Sequence, residues 1–507
     1  MKTSKLVAML FGTVLVAAHA APGDLDAAFG TGGSAISAIS TSGDDSATSV
    51  AIQPDGKIVV AGECQLDFCV ARYNANGTLD TTFNTAGKVI TPVGTAADHA
   101  RAIALQADGK IVVVGSCDYE ILASPQVFAA KFCVVRYTTT GALDTSFNGT
   151  GKLLIAIGAG APNTTYDEGI SLAVQTDGKI VVAGICGTVA FPAPNAFDFC
   201  VARLTSTGAF DTTFNGTGKV VTAVSGSNNV ARSAIVQADG KIVVAGGCLN
   251  GATTDFCIVR YGTSGILDNT FNASGTPGKF TFPVGTDGDF ANSVTIQSDG
   301  KYILAGTCSA GGNADFCVAR VTTAGALDTT FNGTGKVITA IGDATDILYG
   351  VAIQLDGTIV VAGDCFVSGN HRRCLARYTA AGALDATFSG DGLVIDSTRT
   401  ASSFQKGMAL QVDGKIVIVA GCSNGANGDD FCVQRYDGYP TPPCRLDIDG
   451  DGLVLATTDS LVHARIAIGL SGNAVTNGIG FPVAATRKTW TDIRAYLVAS
   501  CAMILPP

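Results

Sequence analysis

Histidine, tryptophan and charge are all scarce in this chain. Of 507 residues, one is Trp and four are His, and Asp, Glu, Lys and Arg together make up 15%. The histidines beyond residue 20, His99, His371 and His463, stand in unrelated contexts, and no Gly-x-Ser-x-Gly, His-Glu-x-x-His or phosphate-loop pattern occurs. These absences remove the usual signatures of serine hydrolases, zinc proteases and nucleotide-binding enzymes. A basic excess is also missing. The net charge of −10 argues against nucleic acid and against an anionic membrane surface as partners, and beyond the N-terminus no apolar run is long enough to span a bilayer.

Glycine is abundant, at 63 residues, and hydrophobic residues make up 47%. With many Val, Ile and Thr, this composition predicts short strands, many turns and a large core. The first twenty residues read as a secretory signal: Lys2 and Lys5, an apolar run from Leu6 to Ala18, and the small-x-small site Ala18-His19-Ala20. Cleavage would leave a mature chain starting at Ala21. The alternative, a membrane anchor, has too short an apolar run. Sixteen cysteines fit an oxidising compartment.

One phrase pattern recurs seven times with a period of about sixty residues. Gly-x-Leu-Asp, or a near match, ends at Asp26, Asp80, Asp144, Asp211, Asp268, Asp328 and Asp385. Gln-x-Asp-Gly has its Asp at Asp55, Asp108, Asp177, Asp239, Asp299, Asp356 and Asp413. Cys-apolar-x-Arg ends at Arg72, Arg136, Arg203, Arg260, Arg320, Arg377 and Arg435. Within Gly208 to Tyr261, strands are expected at 219–224, 233–237, 241–248 and 256–261. Asp239-Gly240 supplies the tight turn between the second and third. A four-stranded sheet of this kind cannot bury both faces alone. Seven in succession can, as a seven-bladed β-propeller of antiparallel blades or as an open solenoid. The propeller is the expected all-β fold, because each chain end supplies the phrase the other lacks.

At these phrases the chain resembles the delta-60 repeat family, with Gly-x-Leu-Asp-x-x-Phe, Asp-Gly-Lys-Ile-Val-Val-Ala-Gly and a phrase ending in Arg-Tyr. The resemblance covers roughly 21–437 and implies a propeller-like fold in an exported bacterial protein, without catalytic residues. Thr358 and Phe210 depart from its usual Lys and Leu.

Each repeat holds two cysteines at a fixed place on the second hairpin: Cys64 and Cys69, Cys117 and Cys133, Cys186 and Cys200, Cys248 and Cys257, Cys308 and Cys317, Cys365 and Cys374, Cys422 and Cys432. Directly opposed strand positions lie within disulfide range, so seven intra-repeat bridges pinning the hairpin ends are expected. Zinc is the alternative, but two cysteines without nearby His make a poor site. The repeated Asp and Arg read as structural features of each blade rather than as a ring of ligand sites.

The repeats stop near Tyr436, and 438–443 form a linker. Residues 444–507 contain Asp447, Asp449 and Asp451 in an Asp-x-Asp-x-Asp-Gly run, with Asp459 one residue later than the usual closing ligand. Alternate carboxylates followed by Gly are a calcium-loop pattern; a solvated acidic turn is the alternative. With a helix expected over 460–470, the segment resembles dockerin-type and EF-hand-like modules, which implies Ca2+ as the bound ion. The second loop of dockerins is missing, and Cys444 and Cys501 would pair across the module. The expected function is therefore an exported, non-catalytic binding or scaffold protein, monomeric, for an extracellular glycan or protein ligand. The alternative is a secreted propeller hydrolase or lyase acting on polysaccharide. The longest insertions, 118–130 and 187–198, are where a ligand surface is expected.

Overall fold

The computed structural model describes residues 21–438, apart from 42, 123–126, 159–165, 188–196, 227, 310, 397–405 and 424–427, together with 462, 473–476, 479 and 488–494. Its repeats form seven four-stranded antiparallel sheets. The first blade holds Asp45–Ile52, Ile58–Cys64, Asp67–Tyr73 and Lys88–Thr91, in that order from the axis outward. The first strand of each blade packs against its counterparts on both sides, and the last of them, Gly407–Leu410, packs against Asp45–Ile52. The sheets therefore close into a ring, and the solenoid is excluded.

Closure uses both ends of the chain. The outermost strand of the seventh blade is Ser34–Ser37, paired in register with Phe431 to Gln434. Leu25 bridges Tyr436, and the Asp26 N–H donates to the Arg435 carbonyl at 2.8 Å. The N-terminal phrase supplies the edge that the last hairpin lacks, which leaves no open sheet edge at the seam.

The phase of the blades differs from the expected one. Lys219–Thr222 is the outer strand of the third blade, paired with Phe199 to Ala202, and does not join Val230–Val236. The sequence period gives the spacing of the strands but not which four share a sheet. The Gly-x-Leu-Asp phrase lies inside a blade, between its third and outer strands.

The core lies between neighbouring sheets. One cluster joins Val181, Ala183, Phe199 and Val201 of the third blade to Ile242, Val244, Val259 and Tyr261 of the fourth. Val, Ile and Ala at successive positions of the second and third strands are buried on both faces, which is why these stretches are apolar without alternation. The disulfides belong to this core. Seven pairs join Cys64 to Cys69, Cys117 to Cys133, Cys186 to Cys200, Cys248 to Cys257, Cys308 to Cys317, Cys365 to Cys374 and Cys422 to Cys432, with Cα–Cα distances of 5.4 to 5.9 Å. None of these cysteines is more than 3% exposed.

The paired cysteines are not directly opposed. Cys64 faces Asp67 and Cys69 faces Gly62, a diagonal offset of two residues that recurs around the ring. Such a pair lies on one face of the sheet, and strand twist brings that diagonal together. Cys64 and Cys69 pack with Val417, Val419 and Phe431 of the adjacent blade, so the bridges lie at the hairpin ends as buried cross-links.

The expected insertion at 118–130 proves to be a longer hairpin, with strands Ile111–Leu122 and Val127–Tyr137. In the C-terminal segment the described residues include one short helix, Asn473–Thr476, and helical residues 490–494. Asp447, Asp449, Asp451, Asp459, Cys444 and Cys501 lie outside the described residues, as does nearly all of the helix expected at 460–470.

Candidate functional site

The repeated charges are consumed inside the ring. In the first blade, Arg72 Nε donates to Asp80 at 2.7 Å, its Nη2 reaches Thr82 and its Nη1 donates to the Thr139 carbonyl of the next blade at 2.6 Å. The guanidinium lies over the Phe83 ring, 4.7 Å from its centroid. Asp80 also accepts from Thr82, and Lys57 approaches it at 3.0 Å. These hydrogen bonds and cations overcome the cost of burial and hold its carboxyl well below the usual range. Equivalent clusters form at Arg136, Arg203, Arg260, Arg320 and Arg377. At the seam the cluster is built from both chain ends: Arg435 meets Asp26 at 2.7 Å and lies over Phe29. Each Arg is thus a bolt between blades, and the repeated Asp and Arg are structural.

The axis presents other chemistry. Six inner strands carry a bulge near their start, for example between Ala47 and Ser49 and between Ala231 and Ser233. A bulge leaves one residue unpaired and turns it out of the ladder. Bulge residues Thr48, Arg101, Ile170, Arg232, Asn292 and Tyr349, with Lys406 at the head of the seventh inner strand, line one axial cavity of about 690 Å3. Hydroxyls beside the bulges accept freed backbone donors from the next blade: Ser171 from Ala234 at 2.9 Å, and Ser233 from Val294 at 3.1 Å.

Charge is unevenly satisfied here. Arg101 Nε donates to Glu168 at 2.7 Å, and the Tyr166 hydroxyl donates to the other oxygen of Glu168 at 2.9 Å. His99 Nδ1 and Glu63 lie 2.6 Å apart. Arg232 has no hydrogen-bond or ion-pair partner among the described residues, although it is exposed to the channel. Desolvation by the surrounding walls lowers its pKa, opposed by Glu168 and reinforced by repulsion from Arg101. Lys406 is lowered in the same way, first by desolvation and then by Arg101, against the pull of Glu63, Asp364 and Asp429. Burial pushes the Tyr349 hydroxyl up to about 12, with Asp364 adding to the shift and Arg232 opposing it.

Sequence reasoning did not find this site. All seven residues occupy one repeat position, the fifth before the Gln of Gln-x-Asp-Gly. The signal was available in that position's variety: Thr, Arg, Ile, Arg, Asn, Tyr and Lys stand in a repeat whose flanking residues are mostly small or apolar. Of the expected ligand surfaces, 188–196 lies outside the described residues. No group of three or more His, Cys, Asp or Glu that could hold a metal occurs among the described residues, and no described helix is long and apolar enough to cross a membrane.

Six segments, 53–83, 106–147, 175–214, 237–271, 297–331 and 354–388, match a family model described as a domain of unknown function (DUF5122) beta-propeller. Each runs from the Gln of Gln-x-Asp-Gly to the Phe of Leu-Asp-x-x-Phe or its Phe-Asp variant. The same phrases occur once more in two pieces, Gln411 to Tyr436 and Gly23 to Phe29, which meet at the seam. No curated protein sequence matches the chain. Among solved structures, a catalytically inactive virginiamycin B lyase from Staphylococcus aureus is similar at 11% identity and a TM-score of 0.45, over 79% of this chain and 98% of that one. An ulvan lyase of a polysaccharide lyase family aligns at 12% identity and a TM-score of 0.43, over 79% and 96% of the two chains. The extracellular domains 1-2 of Drosophila Semaphorin 1b align at 9% identity and a TM-score of 0.43, over 79% and 87%. At these identities and scores the likeness carries nothing about ligand or reaction.

Proposed function

We propose that this is an exported, non-catalytic binding or scaffold protein whose ring of disulfide-bridged blades presents its axial channel to an extracellular glycan or protein ligand. One observation carries this reading. The charges that repeat in every blade are paired internally, whereas the channel collects side chains that differ from blade to blade. A repeat that keeps its bolts while its inward-facing bulge position varies supports a ring adapted for recognition there. Retention of the full-length protein on a panel of immobilised polysaccharides, with assay for released products, tests it. Retention without products, weakened by Tyr349→Ala, is the expected outcome. Product release abolished by His99→Ala or Glu63→Ala would favour the hydrolase or lyase reading, since His99 Nδ1 and Glu63 lie 2.6 Å apart and so pair an imidazole with a carboxylate.

The reading includes a calcium-stabilised C-terminal module, with Asp447, Asp449, Asp451 and Asp459 as ligands of one Ca2+. Its support is the sequence pattern: three carboxylates within five residues repel one another unless a cation lies between them. Calorimetric titration of the full chain with Ca2+ should give one site, and Asp447→Ala with Asp451→Ala should abolish it. A heat-silent titration of the unmutated chain, with no change in its melting, would remove the ion from the proposal.

A further inference from the structure

The position of the unpaired cation in the channel narrows the ligand, resting on the reading of the channel as the binding surface. Arg232 and Arg101 occupy equivalent bulges on two inner strands and line the same cavity. Among the described residues, Arg232 has its whole guanidinium free of partners, and Arg101 uses only Nε, on Glu168, which leaves both of its terminal nitrogens unbonded there. Tyr349, close enough to feel the charge of Arg232, has a hydroxyl with no partner among the described residues. Two guanidinium forks and a phenol therefore converge on open volume, in a chain whose overall charge is negative.

Fixed cations that repel each other in a walled space are relieved by an anion, and a planar fork suits an oxyanion bound by two parallel hydrogen bonds. The remaining wall is not uniformly charged. Asn292 uses its amide nitrogen on the Leu348 carbonyl at 2.7 Å and leaves its own oxygen as an acceptor, while Ile170 and Met408 supply apolar surface. An inorganic anion would leave these groups unused. A hydroxylated body bearing one oxyanion group would use them all.

We propose that the channel binds the acidic group of a sugar, a carboxylate or a sulfate ester, through Arg232 and Arg101, with Tyr349 donating to the same group or to the neighbouring hydroxyl.

The test is calorimetry on the full-length protein at fixed ionic strength with three probes: a galacturonate trimer for the carboxylate arm, a sulfated disaccharide for the sulfate arm, and maltotriose as the neutral control. At least one acidic probe should bind, and maltotriose should bind at least about tenfold more weakly. Arg232→Gln should weaken the acidic probe by about tenfold or more without lowering the melting temperature, because the guanidinium has no partner to lose among the described residues. Tyr349→Phe should cause a smaller loss. The inference is overturned if neither acidic probe binds, or if Arg232→Gln binds them as the parent does. Binding of maltotriose that Tyr349→Ala abolishes and Arg232→Gln leaves intact would keep the channel as a binding surface while removing its anion preference. If both variants leave the binding of every probe unchanged, the channel reading falls as well.

Discussion

Buried carboxylates at the blade junctions show how a single atom sets local stability. Where the chain crosses from one blade to the next, Asp45, Asp98, Asp167, Asp289 and Asp346 each accept two successive backbone N–H groups, at 2.7 to 3.1 Å. The crossing from the third blade to the fourth uses Asn229 instead. Its oxygen accepts from the Ser225 N–H and hydroxyl, and its amide nitrogen donates to Asp198 at 2.9 Å. At the next crossing Asp289, fully buried, faces the charge of Asp255, and its Oδ1 has no hydrogen-bond partner. Burial, with Asp255 adding to it, raises the Asp289 pKa against the pull of its backbone donors. Its folded-state pKa lies above its unfolded value, so its contribution to stability is fully present below the unfolded pKa and is lost as pH rises through the folded one. Asp289→Asn keeps the acceptor and adds a donor aimed at Asp255, as Asn229 does for Asp198. The variant should be about 1 kcal/mol more stable than the parent at pH 7. The difference should shrink as pH falls through the raised pKa of Asp289, where the carboxyl itself takes up a proton. Urea denaturation across a descending pH series measures both; a gain that does not change with pH would show that charge is not the cause.

Strands and hairpins carry the constraints that the repeat phrases encode. Gly246 of Ile-Val-Val-Ala-Gly lies where the inner strand bulges, and a Cβ there would overlap the Val230 carbonyl oxygen. Gly62, Gly115, Gly184, Gly306 and Gly363 meet the same kind of obstruction from an inner-strand carbonyl. In the seventh blade the position is Ala420, and there the inner strand is only Gly407–Leu410, pairing no further than Val419. Gly246→Ala should therefore cost about 3 kcal/mol in chemical denaturation, whereas Ala420→Gly should cost less than half of that. The bridges make a second prediction. Because the cysteines lie between sheets, reductant should leave all seven bridges intact in the folded protein and open them only once denaturant separates the blades. Thiol counting with and without denaturant checks this, and rapid reduction of the native protein would contradict it. The repeat phrases revealed the blades, the hairpins and the cysteine partners, because turn chemistry and strand composition are local. They did not reveal the offset within each bridge or the blade phase, which depend on twist and on pairing across the ring. Nor did they show why Arg373 stands where the six other blades have Phe. Buried, it donates to Gln434, which in turn donates to Asp396, an exchange of polar groups between two blades that no single repeat displays.

For the whole ring the critical junction is the seam. It repeats what every other junction has, with partners separated by 409 residues in the case of Arg435 and Asp26. Deleting residues 21–37 would remove Asp26, Phe29 and the outer strand of the seventh blade. It would also leave Arg435 buried without its carboxylate, a loss of about 3 to 5 kcal/mol, and expose the edge of Asp429–Tyr436. Such a chain should associate, which light scattering would detect as dimers or larger species; a stable monomer with unchanged melting would show that the seam is dispensable. The half-blade offset between phrase and sheet has a further meaning for how such chains arise. The segment that a gene duplicates begins in one blade and ends in the next, so every duplication or loss of a segment carries a complete junction with it. The two ends remain complementary whatever the copy number, and the ancestry of such rings is free to count in units the fold does not use.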